Sequence, residues 1–314
     1  MILITGATGF IGSYLLRYLI EKGEDVLALV RDPKRLNVDV DYVVGDVTNL
    51  KSLDKAFKDV DRVYHLAAIF RHDVRPEDIW RTNLEGTKNI VRLCVEHGCD
   101  LLHVSTVGVL GYANSEPLSE DSPYNPNPNP YARSKAEAER FVLRACVNGL
   151  NAKIVRPAFV YGVGGRYGLN LLIEMVVKGK LKFVIGSGKN YIHPIHVKDV
   201  VRAMVLVMER GEGVYNLANE RAVRLREFLE LVARYAGVKL RFGIPPRLAR
   251  ILLKLKGGIG GSSAEETVML FTKNWFYGVD RLKALGWRQE VKLEKGIEEF
   301  VRWLKEDFIY IPRL

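Results

Sequence analysis

The sequence is poor in several features that would otherwise fix its class. It has three cysteines in 314 residues, Cys94, Cys99 and Cys146. An odd number without paired metal-ligand spacing argues against a disulfide framework or a metal centre, and for a reducing compartment. Glutamine occurs once, at Gln289, while Lys, Arg and Glu are plentiful. Scarcity of labile amides is a compositional habit of thermophile proteins. No apolar run approaches the ~18 residues that span a bilayer, so no integral membrane association is expected. Met1-Ile2-Leu3-Ile4 leads straight into a glycine loop, without a charged segment followed by a long apolar one, so no export signal is expected and the location reads as cytoplasmic. There is also no dense Lys/Arg block, zinc spacing or basic heptad region. The net charge of +10, from 47 Lys+Arg and 37 Asp+Glu, therefore reads as a solvated basic surface or an attraction for a phosphate-rich small molecule, and not for nucleic acid.

What is present is a rhythm. Short apolar runs at Ile2–Thr5, Asp25–Val30, Tyr42–Val44, Arg62–Leu66, Leu101–Ser105 and Ala152–Arg156 alternate with helical patterns at Gly12–Lys22, Leu50–Phe57, Trp80–His97 and Tyr131–Asn148. Strands separated by helices imply parallel βαβ units with right-handed crossovers. The expected fold is α/β, a Rossmann-type doubly wound parallel sheet with a smaller C-terminal α+β substrate lobe. Residues 1–160 would form the dinucleotide-binding domain, to which the chain returns at about 190–215, and 161–314 would be mainly the substrate lobe. Later elements are read at Leu169–Lys178, Phe183–Ile185, Val197–Glu209, Val214–Asn216, Leu225–Tyr235, Leu282–Leu285 and Leu293–Lys305. Ser115–Pro130 holds five of the 12 prolines and must be irregular. It ends directly at Tyr131.

Thr5-Gly6-Ala7-Thr8-Gly9-Phe10-Ile11-Gly12 lies between the first strand and the first helix, the context that gives a glycine pattern meaning. Gly6 permits the tight turn, Gly9 lets backbone N–H groups approach a pyrophosphate, and Gly12 lets the helix pack on the strand. Thr8, Phe10 and Ile11 complete the cofactor-contacting loop. The helix N-terminus adds positive potential for phosphates. Tyr131 and Lys135 are four apart on a helical pattern and so share a face. A free phenol is a poor base near neutrality, and a lysine ammonium one turn away would favour the phenolate.

The Gly-x-x-Gly-x-x-Gly spacing resembles the extended branch of the short-chain dehydrogenase/reductase superfamily, the NAD-dependent epimerase/dehydratase family. The resemblance continues in order. Asp46, with Val47, matches the residue that contacts the adenine. His65-Leu66-Ala67-Ala68 matches the strand end along the cofactor ribose. Asn83 matches the family's helix asparagine, and Val104-Ser105-Thr106 through Gly111 its active-site strand. Tyr131-Ala132-Arg133-Ser134-Lys135 matches Tyr-x-x-x-Lys. Arg156-Pro157-Ala158-Phe159-Val160-Tyr161-Gly162 matches the segment passing the nicotinamide, which gives Pro157 and Val160 as cofactor contacts. The resemblance implies Tyr131 as acid/base, Lys135 as its partner and holder of the ribose, and Thr106 as the hydroxyl that fixes the substrate oxygen, with Ser105 as fallback. It also implies a homodimer through the helices at Trp80–His97 and Tyr131–Asn148.

The second strand ends at Arg31-Asp32-Pro33-Lys34-Arg35. Arg31 suits a 2′-phosphate, so NADP(H) is expected to be preferred, with NAD(H) possible because Asp32 could serve a ribose hydroxyl. Two substrate classes stay open. One is a secondary alcohol or ketone, as in dihydroflavonol reductases and 3-beta-hydroxysteroid dehydrogenases. The other is a nucleotide sugar, as in UDP-glucose 4-epimerase-like enzymes. Leu285-Gly286-Trp287 is shared with the epimerases. Their preceding Arg-x-Gly-Asp is replaced here by Glu266-Thr267-Val268-Met269-Leu270-Phe271-Thr272, an apolar strip that favours the first class. A cofactor-sensing module without catalysis would tend to lose Tyr-x-x-x-Lys. Phe70, Arg166, Asn170 and His193 are the candidate substrate residues. His193 and His196 lack a third metal partner in the sequence, so no metal is expected. Pro245–Lys256 is a short basic amphipathic helix, read as a lid, a packed element or a membrane-surface segment, and the Gly/Ser run from Gly257 to Ser263 as a hinge.

Overall fold

The computed structural model describes residues 1–71, 73–256 and 261–310. Seven strands form one sheet: Ile2–Thr5 (β1), Val26–Val30 (β2), Asp41–Val44 (β3), Arg62–His65 (β4), Asp100–Val104 (β5), Ala152–Pro157 (β6) and Gly213–Leu217 (β7). Their order is β7-β6-β5-β4-β1-β2-β3, and every neighbouring pair is parallel. β1 and β2 are buried at every position, which is why they read as continuous apolar runs: helices cover both faces of a parallel sheet. The order reverses between β1 and β4, and in such sheets ligands bind beyond the carboxyl ends of the strands at that reversal.

The principal helices are Phe10–Glu21 (α1), Gly86–His97 (α2), Pro130–Val147 (α3), Leu169–Val177 (α4), Val197–Arg210 (α5), Leu225–Ala236 (α6), Pro246–Lys256 (α7), Ala264–Thr272 (α8) and Leu293–Tyr310 (α9). Leu15, Leu16 and Leu19 of α1 pack with Val200, Met204 and Val207 of α5 in one buried cluster. Ile90, Val91 and Cys94 of α2 share another with Val142 of α3. A third cluster, around Tyr161, Phe228, Phe271 and Phe300, holds α4, α6, α8 and α9 together.

Three departures from the sequence reading matter for the site. The single helix expected over Trp80–His97 is divided into a helix Pro76–Trp80, a π-helical turn Arg81–Glu85, and α2. Such turns accommodate side chains that must bond away from the helix ladder, and Asn83 is one. The apolar strip Glu266–Thr272 is part of α8, with Val268 and Phe271 buried in the core. Its apolar side chains are spent on packing, so the strip does not by itself speak for an apolar substrate. Short strand pairs also form where the sequence showed no alternation: Phe159–Tyr161 with Pro194–His196, and Tyr191–Ile192 with Val223–Arg224. Of the Gly/Ser run read as a hinge, residues 257–260 lie outside the described residues. Among the described residues, no helix is long and apolar enough to cross a membrane.

Candidate active site

The glycine loop is a steric necessity before it is a site. Gly6 has φ +73°, and a Cβ there would lie 2.8 Å from the Ala67 nitrogen. A Cβ on Gly12 would lie 2.1 Å from the Gly6 oxygen, an overlap that would push α1 off β1. Gly9 stands at the N-cap of α1 with no side-chain cap, and the first turn carries no acidic residue. The first amides of α1 are therefore left for an anion from outside. Thr8, Phe10 and Ile11 are half-buried around this opening, and Gly9 is exposed.

At the end of β2, Arg31, Lys34 and Arg35 are exposed. Asp32 is turned to its own backbone: its Oδ1 accepts the Lys34 N–H at 3.0 Å and caps the turn Pro33–Arg35. Asp46, beyond β3, spends Oδ1 on the Thr48 amide and hydroxyl, both at 2.8 Å, and leaves Oδ2 outside those bonds. Val47 beside it is buried and so close to Gly86 that a Cβ there would lie 2.7 Å from its Cγ2.

The end of β4 is held by a buried polar chain. Thr87 donates to the Asn83 carbonyl at 2.7 Å, so its oxygen accepts from His65 Nε2 at 3.0 Å. His65 Nδ1 then accepts the Thr5 hydroxyl at 2.7 Å, and Thr5 in turn accepts the Ala67 N–H at 3.2 Å. One tautomer satisfies every member. Burial takes His65 down to about 3, so it stays neutral. Leu66 and Ala67 are half-buried and Ala68 is exposed along this edge. Asn83 is fully buried and uses its amide internally. It accepts from the Ile69 N–H at 2.8 Å, donates to the Ile69 carbonyl, and donates to Ser134 Oγ at 3.0 Å. It ties the exit of β4 to α3, one residue from Lys135.

Tyr131 and Lys135 sit in the first two turns of α3. Pro130 starts this helix, and Asn129 caps it by accepting the Ala132 N–H at 2.8 Å. Thr106 caps the turn after β5, where its Oγ1 accepts the Gly108 N–H at 3.1 Å. Its own proton is left for an acceptor on the Tyr131 side, where Thr106 lies close enough to pull the phenol down. Burial raises the Tyr131 phenol to about 12, and Thr106 pulls it back. Burial brings Lys135 down to about 7, with Glu139 opposing. Lys135 Nζ lies 3.3 Å from Nε2 of His103 on β5, a histidine that burial keeps neutral. Burial drives each of these two residues toward its neutral form. Ser105, the fallback, is buried with Oγ unpartnered.

One group escaped the sequence reading. The Arg156 guanidinium, 2% exposed, pairs with Glu139, 0% exposed. Glu139 Oε1 also accepts from Tyr124 at 2.8 Å, while Arg156 donates to the Glu120 carbonyl at 2.9 Å. This pair pins the proline-rich segment to α3 and fixes the approach to Tyr131. The i, i+4 relation of Lys135 and Glu139 was the available signal; the partners 17 and more residues away were not.

The substrate candidates divide. The Phe70 ring lies 4.6 Å from the Tyr131 ring, tilted 53°, and is 42% exposed. Arg166 is exposed. Asn170 is 2% exposed and spends its amide on Gly162 N, the Val160 carbonyl and the Tyr167 carbonyl, which removes it from contact with a diphosphate. His193 bonds the Asn219 carbonyl through Nε2 at 2.7 Å and accepts the Tyr277 N–H through Nδ1 at 3.2 Å, so neither ring nitrogen is left for a substrate. Pro157 ends β6 buried, and Val160 is half-buried past it.

The glycine cradle, the uncapped α1 terminus and the residual acceptor of Asp46 fit an adenine dinucleotide. The comparisons agree. The model of the NAD dependent epimerase/dehydratase family matches residues 2–218. The chain is 30% identical over 259 residues to a 4-hydroxy-2-methyl-3-oxo-4-farnesyl-3,4-dihydroquinoline-1-oxide ketoreductase of Stigmatella aurantiaca, covering 79% of this chain and 77% of the relative. It is 27% identical to a putative UDP-glucose 4-epimerase of Methanocaldococcus jannaschii, covering 98% and 99%. The solved UDP-glucose 4-epimerase of Thermus thermophilus in complex with NAD superposes with TM-score 0.78 at 25% identity, covering 97% of this chain and 98% of that one. A switch-point cradle that only glycine can form, matched across most of the chain, makes this protein an enzyme of the NAD-dependent epimerase/dehydratase family.

Proposed function

We propose that this enzyme moves hydride between a nicotinamide dinucleotide and a secondary alcohol or ketone with apolar substituents. The observation that carries the reading is Tyr131 on the first turn of α3 with Lys135 buried one turn along it and Phe70 against the phenol ring. The bound dinucleotide supplies the hydride donor or acceptor. Toward a carbonyl, Tyr131 acts as the acid, because it holds its proton at neutral pH. Thr106 holds the same oxygen in place. Lys135, when protonated, would lower the cost of the phenolate left on Tyr131 and would be the residue to hold the ribose. Phe70 against Tyr131 supports an apolar neighbour to the reacting carbon, and so does the ketoreductase among the relatives. Residues 1–160, with the return at 190–215, would hold the dinucleotide and 161–314 mainly the substrate. A homodimer through the helices at 80–97 and 131–148 is supported by Val95 and Val147, which stand exposed on them.

NADP(H) is the preferred cofactor in this reading, because Asp32 is spent on its own turn while Arg31, Lys34 and Arg35 stand exposed. Arg31→Ala should weaken NADPH binding about tenfold, the worth of one charge-assisted bond, and leave NADH within about twofold. Equal losses for both cofactors would remove the preference.

The second reading, a nucleotide-sugar epimerase or dehydratase, is favoured by the near-complete coverage of the putative UDP-glucose 4-epimerase. Calorimetric titration of UDP-sugars into the cofactor-loaded enzyme separates the two. Micromolar binding makes the enzyme an epimerase or dehydratase, with Arg166 as its exposed cation. Silence across the panel, with NADPH-linked reduction of hydrophobic ketones, supports the reductase.

A further inference from the structure

One helix carries its apolar face on the wrong side. In α7, Ala249 is buried and Leu253 packs against the core. Leu248, Ile251, Leu252 and Leu255 point elsewhere, with exposures of 49%, 59%, 45% and 81%. At 3.6 residues per turn these four fall within about 100° of arc, away from Ala249 and Leu253. Arg247 and Lys254 lie at one border of this stripe and are exposed; Lys254 shares the field of Glu265 with Arg250, and Arg247 forms no ion pair among the described residues. None of the 11 residues of α7 is acidic. Such a row is costly in water, and among the described residues it belongs to no buried cluster.

The helix is also anchored close to the catalytic helix. Arg250 pairs with Glu265 of α8 at 2.7 Å. The next residue, Glu266, accepts from Asn129 at 2.7 Å, and Asn129 caps α3 two residues before Tyr131.

We propose that α7 is a docking surface for an anionic lipid bilayer, on which it lies flat with Leu248, Ile251, Leu252 and Leu255 in the acyl boundary and Arg247 and Lys254 at the head groups. The occupant follows from charge complementarity. A stripe bordered by exposed cations, on a helix with no carboxylate of its own, matches an anionic interface, whereas a second copy docked through the same helix would set Arg247 and Lys254 against their counterparts. Docking there places the start of α3 near the bilayer, where apolar ketones partition; that consequence rests on the reductase reading, and the docking itself does not.

The test is co-sedimentation of the whole protein with vesicles of equimolar phosphatidylglycerol and phosphatidylcholine, against vesicles of phosphatidylcholine alone. The wild type should pellet with the anionic vesicles only, and salt should release it. Arg247→Ala with Lys254→Ala should weaken binding about fivefold per cation, and Leu252→Ser with Leu255→Ser by more than about tenfold. Because these side chains are exposed, circular dichroism and the thermal midpoint should be unchanged. Wild type that stays in the supernatant with both vesicles overturns the proposal. So do equal pelleting on neutral lipid and a concentration-dependent dimer that the serine variant dissolves. None of these outcomes reads turnover, so a failure to reduce ketones would sink the proposed function and leave the docking to stand or fall by itself.

Discussion

Tyr131 and Lys135 show how far one pair of residues can be argued. Four residues of spacing predict a shared face, and the helix Pro130–Val147 provides it. Spacing does not predict protonation. Burial holds the phenol at about 12 and draws the lysine to about 7, so the bare site keeps a proton on Tyr131 and binds Lys135 loosely to its own. A site in this state is ready to give a proton to a carbonyl oxygen and needs a charge from outside to take one back. Tyr131→Phe removes only that hydroxyl. Turnover should fall by about 10²–10⁴, the usual worth of a positioned acid, while dinucleotide affinity measured by fluorescence stays within about twofold. Near-normal turnover would remove Tyr131 from the chemistry. Loss of cofactor affinity in equal measure would make it a binding residue instead.

At the scale of elements, the cofactor half was legible because its geometry is local. A strand, a turn that only glycine can make and a helix without a cap follow one another within the first dozen residues. Gly9 and Gly12 divide the labour. A Cβ on Gly12 meets the Gly6 oxygen at 2.1 Å and must displace α1, whereas one on Gly9 lies 3.1 Å from that oxygen and is nearly tolerated. Gly12→Ala should therefore destabilise the fold by about 2–3 kcal/mol in urea unfolding, the usual cost of overpacking. Gly9→Ala should cost under about 1 kcal/mol and act mainly on dinucleotide affinity. Equal stability losses would contradict this division. What could not be read was assembled across distance. The Arg156–Glu139 pair, the Asn129–Glu266 bond and the short strand pairs join separate segments, and no period or motif announces which segment meets which. The strip at Glu266–Thr272 misled for the same reason. Apolar residues announce burial but not whether a ligand or the core does the burying, and here the core does.

On the scale of the whole molecule, the polar interior sets the response to acid. His65, His103, His193 and His196 are all buried. Burial is the leading cause that takes His65 to about 3, His193 and His196 to about 4, and His103 well below its ordinary 6.5. In the fold they stay neutral, whereas in the unfolded chain they charge below about 6.5. Between about 6.5 and 4 the unfolded chain binds more protons, so stability is fully present above about 6.5 and is lost as pH falls toward 4, at up to about 1.4 kcal/mol per pH unit for each histidine. His103 isolates the effect, because among the described residues its Nδ1 has no hydrogen-bond partner and its Nε2 is paired with Lys135 alone. His103→Met keeps the volume, forfeits one hydrogen bond and deletes one of the four titrations. Urea unfolding measured at successive pH values from about 7 to about 4.5 should then show a shallower acid limb, smaller by about one proton taken up on unfolding. An unchanged limb would mean that His103 already carries a proton in the fold. Lys135 would then face a cation across 3.3 Å and be pressed further toward its neutral form, and the neutral His103 inferred beside it would have to be given up.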